Sequence, residues 1–231
     1  MRRVPFIAGE FYHVYNRGVD KRIVFSDQDD VDRFFQSMNE FNVVEPIGSI
    51  YENSFLKSQL GSETPKFKKK KLVNIIAYCL NPNHFHFILE QVEEGGISNF
   101  MKRLGGGYTN YYNEKKKRSG SLFQGVFKAT HIDSNEYLLY VSAYVNLNDR
   151  VHQLGSETPK LVKSKTSWSE YVDPASKEFF CKKDIILGQF KNKEGYKKFA
   201  KDALESITAR KSELREMEWC LIEPLGSETP K

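Results

Sequence analysis

The run Asn83-His84-Phe85-His86-Phe87-Ile88-Leu89 constrains this chain more than any other segment. Its period of two predicts a strand, because successive side chains in a strand point to opposite faces. His84 and His86 then share one face. Phe85, Phe87 and Leu89 share the other and point into a core. Two imidazoles at i and i+2 can hold one divalent cation from a single face of a sheet. They can equally be half-exposed strand histidines, and spacing alone leaves both readings open. The chain has five histidines, so this pair uses two of the five.

Elements on either side give that strand a fold. Phe11-Tyr12-His13-Val14-Tyr15-Asn16 is rich in β-formers and ends at Arg17-Gly18, which predicts a first strand. Ser26 or Asp27 can cap a helix through about Phe41, with Val31, Phe34, Phe35 and Met38 on one face. Residues 43–71 are polar, basic and Gly/Pro-containing, and read as an excursion outside the core. Leu72 to Leu80 predicts a second strand. Asn81-Pro82-Asn83 is a turn that returns the chain as a third strand over 84–92.

A helix is expected from Ile97 to about Asn113. Gly105-Gly106-Gly107 should either break it or allow a close backbone contact. A fourth strand follows near Val126 to Ile132. Asp133, with Glu136 three residues on, suggests a capping box that starts a helix from Tyr137 to about Asn148. The order β-α-β-β-α-β-α is that of a split β-α-β, ferredoxin-like α+β core with an antiparallel sheet. After residue 150 the pattern changes to loops and short helices, ending in a charged helix near Lys197 to Trp219. The expected division is a core at 1–150 and a helical C-terminal extension at 151–231.

The composition is that of a folded protein. No apolar run reaches the roughly 20 residues that span a bilayer, and no apolar stretch follows the basic N-terminus to make a secretory signal. Cys79, Cys181 and Cys220 make neither a zinc knuckle nor a disulfide framework. These features lead to the expectation of a cytoplasmic protein with no membrane partner.

A net charge of +5 says little by itself, but the charge is clustered. Lys115, Lys116, Lys117 and Arg118 follow Tyr108, Tyr111 and Tyr112. Cations for phosphates beside rings for bases suit a single nucleic-acid strand, although a solvated lysine loop has the same composition. The candidates for a DNA path are Arg17, Lys102, Arg103, Tyr108, Tyr112, Lys115, Lys116, Lys117, Arg118 and Lys128. One further pattern is Leu-Gly-Ser-Glu-Thr-Pro-Lys, repeated identically at 60–66, 154–160 and 225–231. Its uneven spacing excludes a solenoid. A repetitive DNA element read in frame accounts for the identity.

A cation on two histidines needs further ligands, often a carboxylate or amide oxygen. On the predicted last helix, Tyr137, Tyr140, Tyr144 and Asn148 lie roughly on one stripe, with Tyr144 and Asn148 one turn apart. Asn148 can offer an amide oxygen while Tyr144 presents its phenol. Each tyrosine is equally compatible with a place at the edge of a core.

From about Phe11 to Arg150 the chain resembles the REP-associated tyrosine transposases, within the insertion-sequence group of single-tyrosine HUH nucleases. Four segments in the family's order carry the resemblance. They are Phe11-Tyr12-His13-Val14-Tyr15-Asn16-Arg17-Gly18, Ala77-Tyr78-Cys79-Leu80-Asn81-Pro82-Asn83-His84-Phe85-His86, Gly120-Ser121-Leu122-Phe123-Gln124-Gly125-Val126-Phe127-Lys128 and Tyr144-Val145-Asn146-Leu147-Asn148.

The resemblance implies an HUH nuclease fold in which His84, His86 and Asn148 bind Mg²⁺ or Mn²⁺ and Tyr144 is the nucleophile. It implies attack on a DNA phosphate to give a 5′-phosphotyrosine and a free 3′-OH, on single-stranded or hairpin DNA, by a monomer or homodimer. Since a phenol has a pKa near 10, the nearby metal or a basic neighbour such as Lys128 would have to help. The chain departs from the family pattern at Asn81, where Met is usual, at Asp149, where Pro is usual, and in the insertion at 43–71. Asp149 could replace Asn148 as a ligand or compete with it. The alternative is a module of the same fold that binds single-stranded nucleic acid without cutting it, but such a binder needs none of His84, His86 and Tyr144.

Overall fold

A computed structural model describes residues 5–60, 69–151, 162–176 and 180–213; the side chains of 56–60 and 210–213 are not described. Strand β1 is Phe11–Arg17, helix α1 Gln28–Glu40 and helix α2 Ile50–Leu60. The hairpin strands are β2, Val73–Asn81, and β3, His84–Gln91. Helix α3 is Gly96–Lys115, strand β4 Lys128–Ile132, helix α4 Asn135–Asn146 and helix α5 Asn148–Val151. Strand β5 is Lys165–Thr166, followed by helices α6, Trp168–Val172, α7, Asp184–Leu187, and α8, Lys193–Glu213.

The sheet runs in the order β4-β1-β3-β2-β5, and every neighbouring pair is antiparallel. The first four strands, with α1 between β1 and β2 and α3 between β3 and β4, make the ferredoxin-like core expected from the sequence. Helices α1 and α3 cover the face that carries Phe85 and Phe87. There Phe34 meets Phe85 at 5.4 Å between ring centroids, Phe87 at 6.4 Å and Tyr108 at 4.8 Å. The side chains of Phe34, Phe87, Phe100 and Tyr108 are fully buried there, which is the main apolar contribution to the fold. Helix α4 packs over the opposite face, the face of His84 and His86.

Several local expectations change. Asp27 caps α1 by accepting from the Asp30 N–H, as anticipated. At α4 the cap is Ser134, whose hydroxyl accepts from the Tyr137 N–H, and not Asp133. Strand β4 starts at Lys128, two residues later than read, after the exposed Val126. Helix α3 runs unbroken through its three glycines. Gly107 supplies the close approach instead: a Cβ there would stand 2.7 Å from the Phe41 ring, so only glycine lets α3 lie on Phe41. Residues 43–71 hold helix α2 and the buried Val43 and Ile50, so they are only partly an excursion.

The chain after residue 150 shares the core. Strand β5 pairs with β2, and Tyr171, Ile186 and Tyr196 are buried in the same cluster. Tyr196 on α8 meets α4 through polar contacts, accepting from Asn146 Nδ2 at 2.8 Å and lying 3.2 Å from Ser142 Oγ. Among the described residues no helix is long and apolar enough to cross a membrane. The repeated heptapeptide lies outside the described residues except for Leu60.

Candidate active site

Strand pairing assembles the site before any loop is considered. His86 sits opposite Cys79 on β2 and Tyr15 on β1, and Tyr15 sits opposite Lys128 on β4. The next row is Asn81, His84 and Arg17. Paired residues share a face, so these side chains all project toward the layer of α4. From that helix Tyr144, half-buried, stands edge-on to His86 at 5.5 Å and to His13 at 5.9 Å between ring centroids.

Asn148 reaches the site by a different route from the one read in the sequence. Helix α4 stops at Asn146, with Leu147 as C-cap, and Asn148 opens the short α5. Tyr144 and Asn148 are therefore not successive turns of one helix. The break lets them serve different histidines: Tyr144 lies against His86, and Asn148 Oδ1 lies 3.2 Å from His84 Nε2. Asn148 is fully buried, and its Nδ2 has no hydrogen-bond partner among the described residues. The amide thus keeps its oxygen toward the histidine while leaving a buried N–H₂ unsatisfied, an arrangement that ordinarily costs stability. Burial raises the carboxyl pKa of the neighbouring Asp149.

Hydrogen bonds fix how His84 presents itself. Its Nδ1 lies 2.6 Å from Asn83 Oδ1, an acceptor only, so Nδ1 carries the proton and Nε2 has the lone pair. That lone pair receives Asn81 Nδ2 at 2.9 Å. His86 is oriented by His13, whose Nε2 is 3.0 Å from His86 Nδ1. Burial pushes the His13 pKa down to about 4, so His13 is neutral at pH 7. Sequence reading missed both His13 and Asn81. The signal for His13 was present in the alternation His13, Tyr15, Arg17, which shares a face with His84 and His86 once β1 is laid beside β3.

The donor set suits a hard divalent cation. Two ligands on adjacent octahedral positions at about 2.1 Å from Mg²⁺ are about 3 Å apart, close to the 3.2 Å between His84 Nε2 and Asn148 Oδ1. Both lone pairs are met here by the Asn81 N–H₂ group, at 2.9 and 2.7 Å, in the place a cation would take. Among the described residues no group of three His, Cys, Asp or Glu could hold a metal, so any such site depends on an amide oxygen.

The expected DNA path is only partly on this face. Arg17 and Lys128 share it, and Arg17 Nε donates to Gln124 Oε1 at 2.5 Å. Tyr108 and Tyr112 do not form a stacking platform. Tyr108 is wholly buried and donates to the Val24 carbonyl, and Tyr112 donates to the Ile23 carbonyl. Both rings were needed to fill the core beneath α1. Arg103 is held by the Val43 and Val44 carbonyls, and Arg118 by Asn113 and the Ser121 carbonyl. Lys115 lies between Asp27 and Asp30, at 2.7 and 2.8 Å. Lys116 lies 3.7 Å from Asp27. Lys102 and Lys117 are exposed on the α3 layer, away from Tyr144.

Part of the chain is similar to known proteins. Residues 48–148 match the family model described as IS200-like transposase. No curated protein matches the chain. One solved structure that it is similar to is a REP-associated tyrosine transposase bound to a REP hairpin, at 14% identity and a TM-score of 0.48, over 74% of this chain and 84% of that one. The likeness to IS200-like transposases thus spans residues 48–148, the stretch that holds β2, β3, α3, β4 and α4.

Proposed function

We propose that this protein is a transposase that cuts and rejoins single-stranded or hairpin DNA through a covalent bond between Tyr144 and a DNA phosphate. The observation that carries this reading is the convergence on one sheet face of the Tyr144 ring, the His13–His86 pair and the His84–Asn148 pair. His84, His86 and Asn148 would hold Mg²⁺ or Mn²⁺, which when bound supplies a Lewis acid for the scissile phosphate.

The chain's own residues supply the rest. Tyr144 Oη attacks phosphorus, its proton leaves, and the 3′ oxygen departs as a free hydroxyl, giving a 5′-phosphotyrosine. Attack on that ester by a 3′-OH reverses the exchange, so one phosphodiester is traded for another and no nucleotide cofactor is consumed. The Nε2 of neutral His13 accepts a hydrogen bond from His86 Nδ1–H, which leaves His86 Nε2 as the lone-pair atom. Arg17 and Lys128, in the rows of His84 and His86, bring positive charge to the DNA backbone.

An end-labelled hairpin oligonucleotide incubated with the protein and Mn²⁺ tests this. A covalent protein–DNA adduct is expected for the wild type and none for Tyr144→Phe. An adduct that survives Tyr144→Phe sinks the nucleophile assignment. Hairpin binding with no adduct in the wild type would make the chain a binding module only.

A further inference from the structure

Asn81 is the departure from the family pattern that lands inside the site. It is fully buried at the end of β2, opposite His84 in register. Its Nδ2 lies 2.9 Å from His84 Nε2 and 2.7 Å from Asn148 Oδ1. Its Oδ1 accepts from Ser164 Oγ at 2.8 Å and from the Cys79 thiol at 3.4 Å. One N–H₂ group therefore satisfies the two lone pairs that a cation would otherwise occupy.

We propose that Asn81 is a further protein ligand of the divalent cation, and that its amide turns over when the ion binds. This rests on the metal-dependent reading above. The oxygen and nitrogen of an amide occupy nearly equivalent positions, so half a turn about the last side-chain bond exchanges them. Asn81 Oδ1 would then face His84 Nε2 and Asn148 Oδ1, making three lone-pair atoms about 3 Å apart, the spacing of one octahedral face around Mg²⁺ or Mn²⁺. Without a cation three acceptors repel one another, so the nitrogen turns inward. The outer partners permit either state, because the Ser164 hydroxyl can accept from Nδ2 as readily as it donates to Oδ1. A methionine here offers only a thioether, a soft ligand ill-suited to a hard cation. The substitution therefore adds an oxygen ligand that the family's usual residue lacks.

The test is Mn²⁺ titration by calorimetry on the full chain, with melting curves with and without the ion. Wild type should bind Mn²⁺, His84→Ala should lose binding, and Asn81→Met should bind about tenfold more weakly. Asn81→Asp presents an oxygen in either orientation. It should bind at least as tightly as wild type, melt lower without metal, and gain more from Mn²⁺. Asn81→Met binding within twofold of wild type, while His84→Ala fails, overturns the inference and leaves the metal site standing. A wild type that binds no Mn²⁺ removes both. If Asn81→Met does not fold, Asn81→Asp decides: weaker Mn²⁺ binding than wild type overturns the proposal.

Discussion

The two faces of the sheet are made by the same strands and do different work. On β3, Phe85 and Phe87 enter a cluster of rings with Phe34 and Tyr108, while His84 and His86 enter a network of imidazoles and amides. The first face is closed by apolar packing that tolerates no hole. The second is closed by hydrogen bonds that use one another's donors and still leave Asn148 Nδ2 without a partner among the described residues. One strand can thus hold the fold with its odd residues and keep reactive groups on its even ones, provided that a different helix covers each side.

The sharpest way to break this comparison is to cut into each face. Phe87→Ala removes a fully buried ring and should cost about 3–5 kcal/mol, enough to lower the urea midpoint severely. Tyr144→Phe on the other face should leave that midpoint nearly unchanged while abolishing the adduct. Equal destabilisation by the two would mean that the site face is also structural.

The outer edge of the site face gives the next largest effect. The Tyr196 hydroxyl, buried between α4 and α8, has its pKa pushed up by desolvation to about 12. Its contribution is complete below pH 10 and lost as pH rises from about 10 to 12, because the unfolded chain ionises first. That amounts to about 3 kcal/mol. Tyr196→Phe should flatten this part of a melting-temperature profile, and an unchanged alkaline slope would remove the assignment.

The smallest effect is expected where a cation expected to meet DNA instead closes the apolar face. Lys115→Met should cost about 1–3 kcal/mol by leaving the buried Asp30 without its ammonium, a figure reduced for the partial exposure of Lys115. Hairpin affinity measured by fluorescence anisotropy should barely change. A large loss of affinity without loss of stability would restore Lys115 to the DNA path.

Much of the fold was legible because it is written in short-range patterns. The alternation in 84–89, the apolar stripe Val31, Phe34 and Met38, and the Asn81-Pro82-Asn83 turn each declare a local element, and the element order then selects the topology. The pair His84 and His86 was visible for the same reason. His13 was less visible because it joins His86 only across strands 73 residues apart. Asn81 looked like a turn residue, since an asparagine that turns the chain and one that hydrogen-bonds to a histidine have the same side chain. Tyr108 and Tyr112 misled because basic neighbours mark the end of α3 as well as they mark a nucleic-acid surface. The break at Leu147 carries no Gly or Pro, so nothing local announced that Asn148 leaves the helix of Tyr144.

The hydrogen bond from Ser164 to Asn81 has a consequence for synthesis. Translation delivers His13 first, the β2–β3 hairpin next, Tyr144 later and Ser164 last of these. A nascent chain halted before residue 144 has the imidazoles but not the Tyr144 phenol. One halted before residue 164 has both, yet lacks the hydroxyl that hydrogen-bonds to Asn81. The cluster of imidazoles and amides therefore closes only after residue 164 has been made, and long-range closure of this kind is slow relative to local folding. A site built in this order stays incomplete until residue 164 has been made.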